Sequence, residues 1–261
     1  MILIGEKLNS SIPRAQQAFE ARDAQAVTEL IGMQAEAGAA FLDVNTAICG
    51  PDEREAMLWT IGLIRVNCDC GIMIDTADPE VMAAAAQAAG DRPLILNSAT
   101  ITDRFDAVTA LAKESGAAIV GLPIDDDMPH GLEEKCQKLD TLIEKLRTAG
   151  IPDDRIYADV LVETLATDGE SAKSALGAIA HMARTYPDVK TTCGLSNVSY
   201  GLPRRALING AFVAAAMAAG LSSAIIDPAS PAMRDAIAAA RVVAGLDDYC
   251  MEYITYIRGN E

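Results

Sequence analysis

Short apolar runs alternate with longer amphipathic stretches along the whole chain. Each run is too short for a helix and is typical of a strand in a parallel sheet that is buried on both faces. The predicted strands cover residues 2–4, 41–44, 72–74, 94–96, 118–120, 157–160, 190–193 and 224–226. The stretches between them predict helices at residues 23–37, 79–89, 103–115, 132–149, 170–186, 205–219 and 231–244.

This alternation predicts an α/β fold. Strand–helix units of about 33 residues each match a (β/α)8 barrel in number and in length. The alternative is an open doubly wound sheet, which usually carries a glycine-rich first turn. Here the first strand leads into the segment GEKLN at residues 5–9, which contains no GxGxxG motif. We therefore predict one domain over residues 1–261, a single (β/α)8 TIM barrel.

Polar residues follow nearly every predicted strand, and in a parallel barrel the active site lies at these carboxyl ends. They are Glu6, Asn9, Asp43, Asn45, Asp75, Asn97, Asp125, Asp126, Asp127, Asp159, Ser196, Asn197 and Asp227. One such residue alone is usually a helix cap or a turn former, which we expect for Asp227. Asp125 to Asp127 are expected in a solvated loop. Together the strand ends predict a ring of amides and carboxylates with almost no lysine, histidine or cysteine.

The composition of this ring limits its chemistry. Without a central lysine, Schiff-base chemistry is disfavoured, and without clustered histidines or thiols so are nucleophilic catalysis and zinc hydrolysis. Several carboxylates could hold Mg²⁺, but an asparagine-rich ring is better suited to a flat heterocycle rich in donors and acceptors, such as a pterin. We predict no bound metal.

The net charge limits the classes of partner that we expect, and the cysteine content indicates the cellular compartment. The net charge of −16 argues against nucleic acid or an anionic membrane surface as a partner. The six cysteines show no repeated metal-site spacing, which predicts buried or half-buried thiols in a reducing compartment. The N-terminus has no signal-peptide pattern, and no apolar run approaches the roughly 18 residues of a membrane span. We expect a soluble, cytoplasmic protein.

Several motifs occur in a fixed order along the chain. They are GEKLN at residues 5–9, GAAFLDVN at 38–45, IDT at 74–76, LNS at 96–98, GLSNVS at 194–199, RALIN at 205–209 and AIID at 224–227. In these motifs the chain resembles the pterin-binding methyltransferases, namely the methyltetrahydrofolate:corrinoid-protein methyltransferases and the folate domain of cobalamin-dependent methionine synthase. It is also similar to dihydropteroate synthase, but the Asn-x-Thr-x-Asp-Ser-Phe loop of that enzyme is absent, since LNSSIP stands at residues 8–13.

The resemblance implies methyl transfer between N5 of tetrahydrofolate and the cobalt of a cobalamin. The substrate would be tetrahydrofolate or 5-methyltetrahydrofolate. A separate corrinoid protein would carry the cobalamin, because the chain contains no Asp-x-His-x-x-Gly motif. The direction of transfer stays open between acetogenic one-carbon metabolism and O-demethylation, and the resemblance implies a homodimer. Two alternatives remain: a dihydropteroate-synthase-like pterin transferase, and a non-catalytic folate-binding subunit of a corrinoid complex.

The resemblance also implies a role for individual residues. Asp75, Asn97 and Asp159 would bind the pterin, and Asn197 would lie near N5 as the catalytic donor, in a network with Asp75 and Asp159. The further residues implied are Gly194 and Ser196 in the same turn as Asn197, Arg205 either beside the benzoyl-glutamate tail or as a structural residue at a helix start, and Glu6 and Asp43 supporting the floor of the site.

Overall fold

The computed structural model describes residues 1–259, and within them eight parallel strands form one barrel. The strands are β1 (Ile2–Asn9), β2 (Phe41–Asn45), β3 (Gly71–Asp75), β4 (Leu94–Ala99), β5 (Ala118–Gly121), β6 (Ile156–Asp159), β7 (Lys190–Thr192) and β8 (Ser223–Ile226). Their order in the sheet is β7-β6-β5-β4-β3-β2-β1-β8. The barrel and its predicted strands are therefore confirmed, although β1 runs five residues further than its apolar run.

Helices surround the barrel. They are α1 (Pro13–Glu20), α2 (Ala24–Glu36), α3 (Glu53–Asn67), α4 (Pro79–Ala89), α5 (Phe105–Ser115), α6 (Gly131–Thr148), α7 (Ser171–Thr185), α8 (Arg205–Ala219), α9 (Pro231–Val243) and α10 (Met251–Arg258). The predicted helices are confirmed, whereas α1, α3 and α10 were not predicted. Helix α3 buries Met57, Ile61 and Ile64 at helical spacing against the barrel. None of the helices in residues 1–259 combines the length and hydrophobicity that crossing a bilayer requires.

The core has two layers. A small cluster fills the inside of the barrel and includes Ile4, Met73, Ile95, Val120 and Tyr157. A much larger cluster lies between the strands and the surrounding helices. Side chains alternate along a strand, so each strand contributes to both layers. All six cysteines are free thiols, and each is buried or half-buried as predicted.

The barrel closes between β7 and β8 in an unusual way. A backbone bridge pairs Gly194 with Ile225, and the Ile225 N–H donates to the Cys193 carbonyl at 2.9 Å. Below this bridge, side chains replace strand pairing. The Thr191 N–H donates to Ser222 Oγ at 2.7 Å, and Ser223 Oγ donates to the Thr191 carbonyl at 2.8 Å. This junction, the β7–β8 seam, lies directly before the GLSNVS motif.

Strand β1 contains a bulge that a buried glutamine completes. The pairing of β1 with β2 shifts register between Gly5 and Leu8. The Lys7 N–H instead donates to Oε1 of Gln34, at 2.8 Å, and Gln34 Nε2 donates to the Leu30 carbonyl at 3.0 Å. Gln34 is fully buried on α2. A Cβ on Gly5 would lie 2.4 Å from Gln34 Oε1, which explains the glycine.

Replacing Gln34 by leucine is expected to lower the free energy of unfolding by about 1–3 kcal/mol, because the half-buried Lys7 N–H loses its acceptor. Urea denaturation followed by circular dichroism measures this loss. Gln25→Leu, on the exposed face of the same helix, is the matched control. A loss for Gln34→Leu no larger than that of the control would contradict the assigned role of the amide.

Candidate functional site

The alternation of side chains along the strands explains where the polar ring lies. In six strands a residue that packs inside the barrel is followed, two positions later, by a polar residue. The pairs are Ile4 and Glu6, Phe41 and Asp43, Met73 and Asp75, Ile95 and Asn97, Tyr157 and Asp159, and Ile225 and Asp227. Because strand side chains repeat with period two, each polar residue faces inward, one layer above the apolar filling. The polar ring therefore caps the core at the carboxyl ends of the strands.

A cavity of about 710 Å³ opens above this layer. This volume is within the range of small-molecule sites. Of the residues predicted for the site, those that line the cavity are Glu6, Asp43, Asp75, Asp159, Gly194, Ser196, Asn197 and Arg205. Asn97 does not line the cavity. It lies in register with Asp75 on the neighbouring strand, and its side chain forms a hydrogen bond with Asp43 in the floor.

Asp43 is the most buried of the carboxyl groups that line the cavity. Its side chain is 2% exposed, and its Oδ1 has no hydrogen-bond partner in the described chain. Burial raises the pKa of Asp43 well above its ordinary value, and the neighbouring Asp75 carboxyl raises it further, while a hydrogen bond from Asn97 opposes the rise. A buried, unpaired carboxyl oxygen in the wall of a cavity is expected to meet a polar atom of a ligand.

Asp75 is held in place by side chains from β2 and from the residue that follows β1. Asn45 Nδ2 donates to Asp75 Oδ2 at 2.9 Å, and Ser10 Oγ donates to Asn45 Oδ1 at 3.2 Å. The backbone N–H of Ala47 also donates to Asn45 Oδ1. Burial raises the pKa of Asp75, and the Asn45 hydrogen bond opposes this rise. Asn45 was predicted as part of the polar ring but was given no role in binding, although it shares the inward side of β2 with Asp43.

Asp159 lies at the end of β6, on the opposite wall. Its Oδ1 accepts the backbone N–H of Leu161 at 2.8 Å, which fixes the orientation of the carboxylate. Burial raises the pKa of Asp159 to about 6, while the Leu161 N–H and the charge of Lys135 oppose the rise. Cys193 is buried nearby, and its pKa is raised by burial and by the Asp159 charge.

The raised pKa of Asp159 makes the stability of the fold depend on pH. The folded value of about 6 exceeds the ordinary 3.8 of an aspartic acid, so the folded state holds the proton more tightly. This stabilisation is present below about pH 4 and is lost as the pH rises through about 6. The free energy of unfolding of the wild type should therefore fall between pH 4 and 7 by more than that of Asp159→Asn, with a difference of at most about 3 kcal/mol.

Urea denaturation at a series of pH values measures this difference. Asp126→Asn gives the same change of charge in an exposed loop and is the matched control. If the dependence of the unfolding free energy on pH changes equally in the two variants, Asp159 makes no special contribution.

A cationic group also lies in the cavity wall, which corrects one prediction. The expected near-absence of lysine from the ring is wrong, since Lys7 lines the cavity and its Nζ lies 2.8 Å from Asp227 Oδ2 and 3.7 Å from Glu6 Oε1. The bulge in β1 explains this, because it lets the adjacent residues Glu6 and Lys7 both reach the mouth. Burial raises the pKa of Glu6, with Lys7 and a hydrogen bond from Ser196 acting against it. Asp227 also accepts the Ala229 N–H, as expected for a turn.

Asn197 lies in a short 3₁₀ turn, Leu195–Ser199, that follows β7. Its side chain is exposed in the cavity and packs over Gly194, where an added Cβ would lie 3.0 Å from Asn197 Nδ2. Arg205 fixes the turn, because its Nη2 donates to the Ser196 carbonyl at 2.7 Å and its Nε donates to Ser199 Oγ at 3.0 Å. Arg205 therefore has a structural role and also lines the cavity.

Asp125, Asp126 and Asp127 do not line the cavity, in line with the predicted loop. Asp125 Oδ1 lies 2.7 Å from Lys138 Nζ, and this partner lowers the pKa of Asp125. Within residues 1–259, no group of three or more histidine, cysteine or acidic side chains is arranged to hold a metal ion.

Comparison with known proteins gives relatives that match nearly the whole chain. The methylcorrinoid:tetrahydrofolate methyltransferase of Eubacterium limosum is 30% identical over 256 residues, which is 97% of this chain and 94% of the relative. The methionine synthase of Mycobacterium tuberculosis is 31% identical over 241 residues, which is 87% of this chain but only 20% of that much longer protein.

Solved structures support the same fold. The structure of a dihydropteroate synthase from Coxiella burnetii in complex with pteroic acid superposes with a TM-score of 0.69 at 19% identity, covering 95% of this chain and 93% of the other. At that identity the likeness concerns the fold alone. The model of the family described as pterin binding enzyme matches residues 8–227. The chain therefore belongs to the family of pterin-binding enzymes.

Proposed function

We propose that the protein transfers a methyl group between N5 of tetrahydrofolate and the cobalt of a separate corrinoid protein. The observation that carries this proposal is the match to a methylcorrinoid:tetrahydrofolate methyltransferase over almost the full length of both chains. The cavity supports it, since it combines buried carboxylates with an exposed asparagine amide at its rim.

The buried carboxyl groups account for recognition of the pterin ring. A pterin presents N–H donors next to ring acceptors along one edge, and carboxylates accept such N–H groups in short, charge-assisted hydrogen bonds. Asp75 and Asp159 are the proposed acceptors. Asp43 has an unpaired oxygen and a raised pKa, which suits a protonated group that donates to an acceptor atom. Asn97 is proposed to complete the set, from its position beside Asp75 and Asp43.

Asn197 is proposed to act at N5. A methyl group leaves a neutral tertiary amine poorly, because the departing nitrogen would carry negative charge. N5 must therefore gain positive character, and a donor that strengthens its hydrogen bond as the charge develops accelerates transfer. This role is supported by Arg205, which holds the turn that carries Asn197, and by Gly194, which packs against the amide. Asp159 and Asp75 are proposed to supply a site for the proton within the same cavity.

The corrinoid supplies the atom that accepts or donates the methyl group. The open side of the cavity is bounded by Tyr200, which is 69% exposed and follows Asn197 by three residues. We propose that the segment from Tyr200 to Pro203 contributes to the choice of corrinoid partner. The same site serves both directions of transfer, since the proton that N5 gains in one direction is lost in the other.

An assay with free cobalamin tests the proposed function. Purified protein is mixed with 5-methyltetrahydrofolate and cob(I)alamin, and in a second reaction with tetrahydrofolate and methylcobalamin, and the cobalamin spectrum is followed in both. Methyl transfer in either direction is the expected result, with Asn197→Ala as the impaired control.

Two other outcomes would replace the proposal. Binding of 5-methyltetrahydrofolate without transfer would indicate a non-catalytic folate-binding subunit. Formation of dihydropteroate from an activated hydroxymethyl-dihydropterin and 4-aminobenzoate would indicate a pterin transferase of the dihydropteroate synthase type.

A further inference from the structure

A fully buried lysine lies behind the wall that carries Asp159. Lys135 is on α6, and its side chain is 1% exposed. Its Nζ donates to the Leu161 carbonyl at 2.7 Å and lies 3.7 Å from Glu163 Oε2. A buried lysine is costly unless its charge is paired, so such a residue calls for a reason.

The contacts of Lys135 lead directly to the cavity. Leu161, whose carbonyl accepts from Lys135, donates its own N–H to Asp159 Oδ1 at 2.8 Å. Leu161 has φ of 49°, in the left-handed region that a leucine rarely adopts. The backbone of one residue, Leu161, therefore accepts a hydrogen bond from Lys135 at its carbonyl and donates one to the Asp159 carboxylate from its N–H.

We propose that Lys135 is a positioning residue for the pterin site, which fixes the Asp159 carboxylate through the Leu161 turn. This inference rests on the proposed function only for the identity of the ligand. The effect of the Lys135 charge on the Asp159 carboxyl can be measured on the protein without any ligand.

The charges around both groups support the proposal. The titratable groups that act on Lys135 are Glu163, Asp159 and Cys136, and Asp159 interacts with Lys135, Asp75 and Cys193. Among these, Lys135 is the cation, and it lowers the pKa of Asp159 whereas Asp75 raises it. Burial lowers the pKa of Lys135, and Glu163 and Asp159 act against that change.

The test is a carbon-13 NMR titration of the aspartate carboxyl groups, with Asp159 assigned by the loss of its signal in Asp159→Asn. In Lys135→Met the pKa of Asp159 is expected to rise by about one unit or more. Lys138→Met is the matched control, because it removes a lysine of the same helix that pairs with Asp125 and Glu134. An unchanged Asp159 pKa in folded Lys135→Met would overturn the proposal.

A second variant covers the case in which Lys135→Met does not fold. Glu163 is 46% exposed, so Glu163→Gln should be tolerated. Without the negative charge of Glu163, the positive charge of Lys135 acts more strongly on Asp159, so the pKa of Asp159 is expected to fall. An unchanged or raised Asp159 pKa would overturn the proposal.

Binding of 5-methyltetrahydrofolate measured against pH extends the test to function. The acid limb of the binding profile should move upward with the Asp159 pKa in Lys135→Met. If Lys135→Met shifts the Asp159 pKa but even the wild type binds no pterin at any pH, the proposed function is refuted. The positioning of Asp159 by Lys135 would still stand. A shifted pKa with an unmoved acid limb would overturn the link between Lys135 and the pterin site.

Discussion

Replacing Asn197 by alanine is expected to slow methyl transfer by about 10²–10³-fold, the usual effect of removing one donor that acts in the transition state. The affinity for 5-methyltetrahydrofolate should fall much less, because the buried carboxylates on the opposite side of the cavity remain. Stopped-flow measurement of the cobalamin spectrum gives the rate, and a fluorescence titration gives the affinity. Equal losses in rate and affinity would show that Asn197 only binds.

A graded variant separates the presence of the Asn197 amide from its placement. A Cβ at Gly194 would lie 3.0 Å from Asn197 Nδ2, so Gly194→Ala must displace the amide by a few tenths of an ångström. We expect a loss of rate between those of the wild type and Asn197→Ala, with the fold unchanged. Full activity in Gly194→Ala would mean that the position of the amide is not critical.

Replacing Asp75 by alanine is expected to weaken pterin binding by roughly 10- to 100-fold, since a hydrogen bond to a charged group is worth about 1.5–3 kcal/mol. The variant also leaves Asn45 Nδ2 without its acceptor, at 2.9 Å in the wild type, so part of the loss reflects a misplaced neighbour. Calorimetric titration with 5-methyltetrahydrofolate measures the affinity.

The matched control for Asp75→Ala is Asp125→Ala. Asp125 also follows a strand of the barrel, but it pairs with Lys138 away from the cavity. Its replacement should leave pterin affinity unchanged. Unchanged affinity in Asp75→Ala would instead refute the assignment of Asp75 to the pterin edge.

The sequence predicts the barrel well because its strands are short, apolar and regularly spaced. The same pattern locates much of the site, since a polar residue two positions beyond an inward apolar residue, as Asp75 is beyond Met73, must face the same way. Helix α3 escaped prediction for a related reason. Its central run from Met57 to Ile64 is almost continuously apolar and contains Gly62, so that periodicity alone does not separate a helix from a buried strand.

The roles that the sequence did not reveal depend on contacts between distant segments. Lys7 reaches the cavity because Gln34, 27 residues away, completes the bulge of β1. Lys135 reads as part of a solvated, charged helix face, and only the packing of α6 over the turn after β6 buries it. Asn45 acts through Asp75, a contact that requires the register of two neighbouring strands. None of these relations is encoded in local spacing.

The β7–β8 seam affects how fast the amide protons of the barrel exchange with solvent. Strand β7 has three residues, and at the seam hydroxyl side chains stand in for part of the backbone ladder. Opening here breaks fewer cooperative bonds than opening between β2 and β3, which pair over five residues, so it costs less than global unfolding. Amide protons along the seam should therefore exchange before those of the central strands. A ligand held against Gly194 stabilises the closed state, so occupancy of the site would be visible as slower exchange in Thr191 and Ile225.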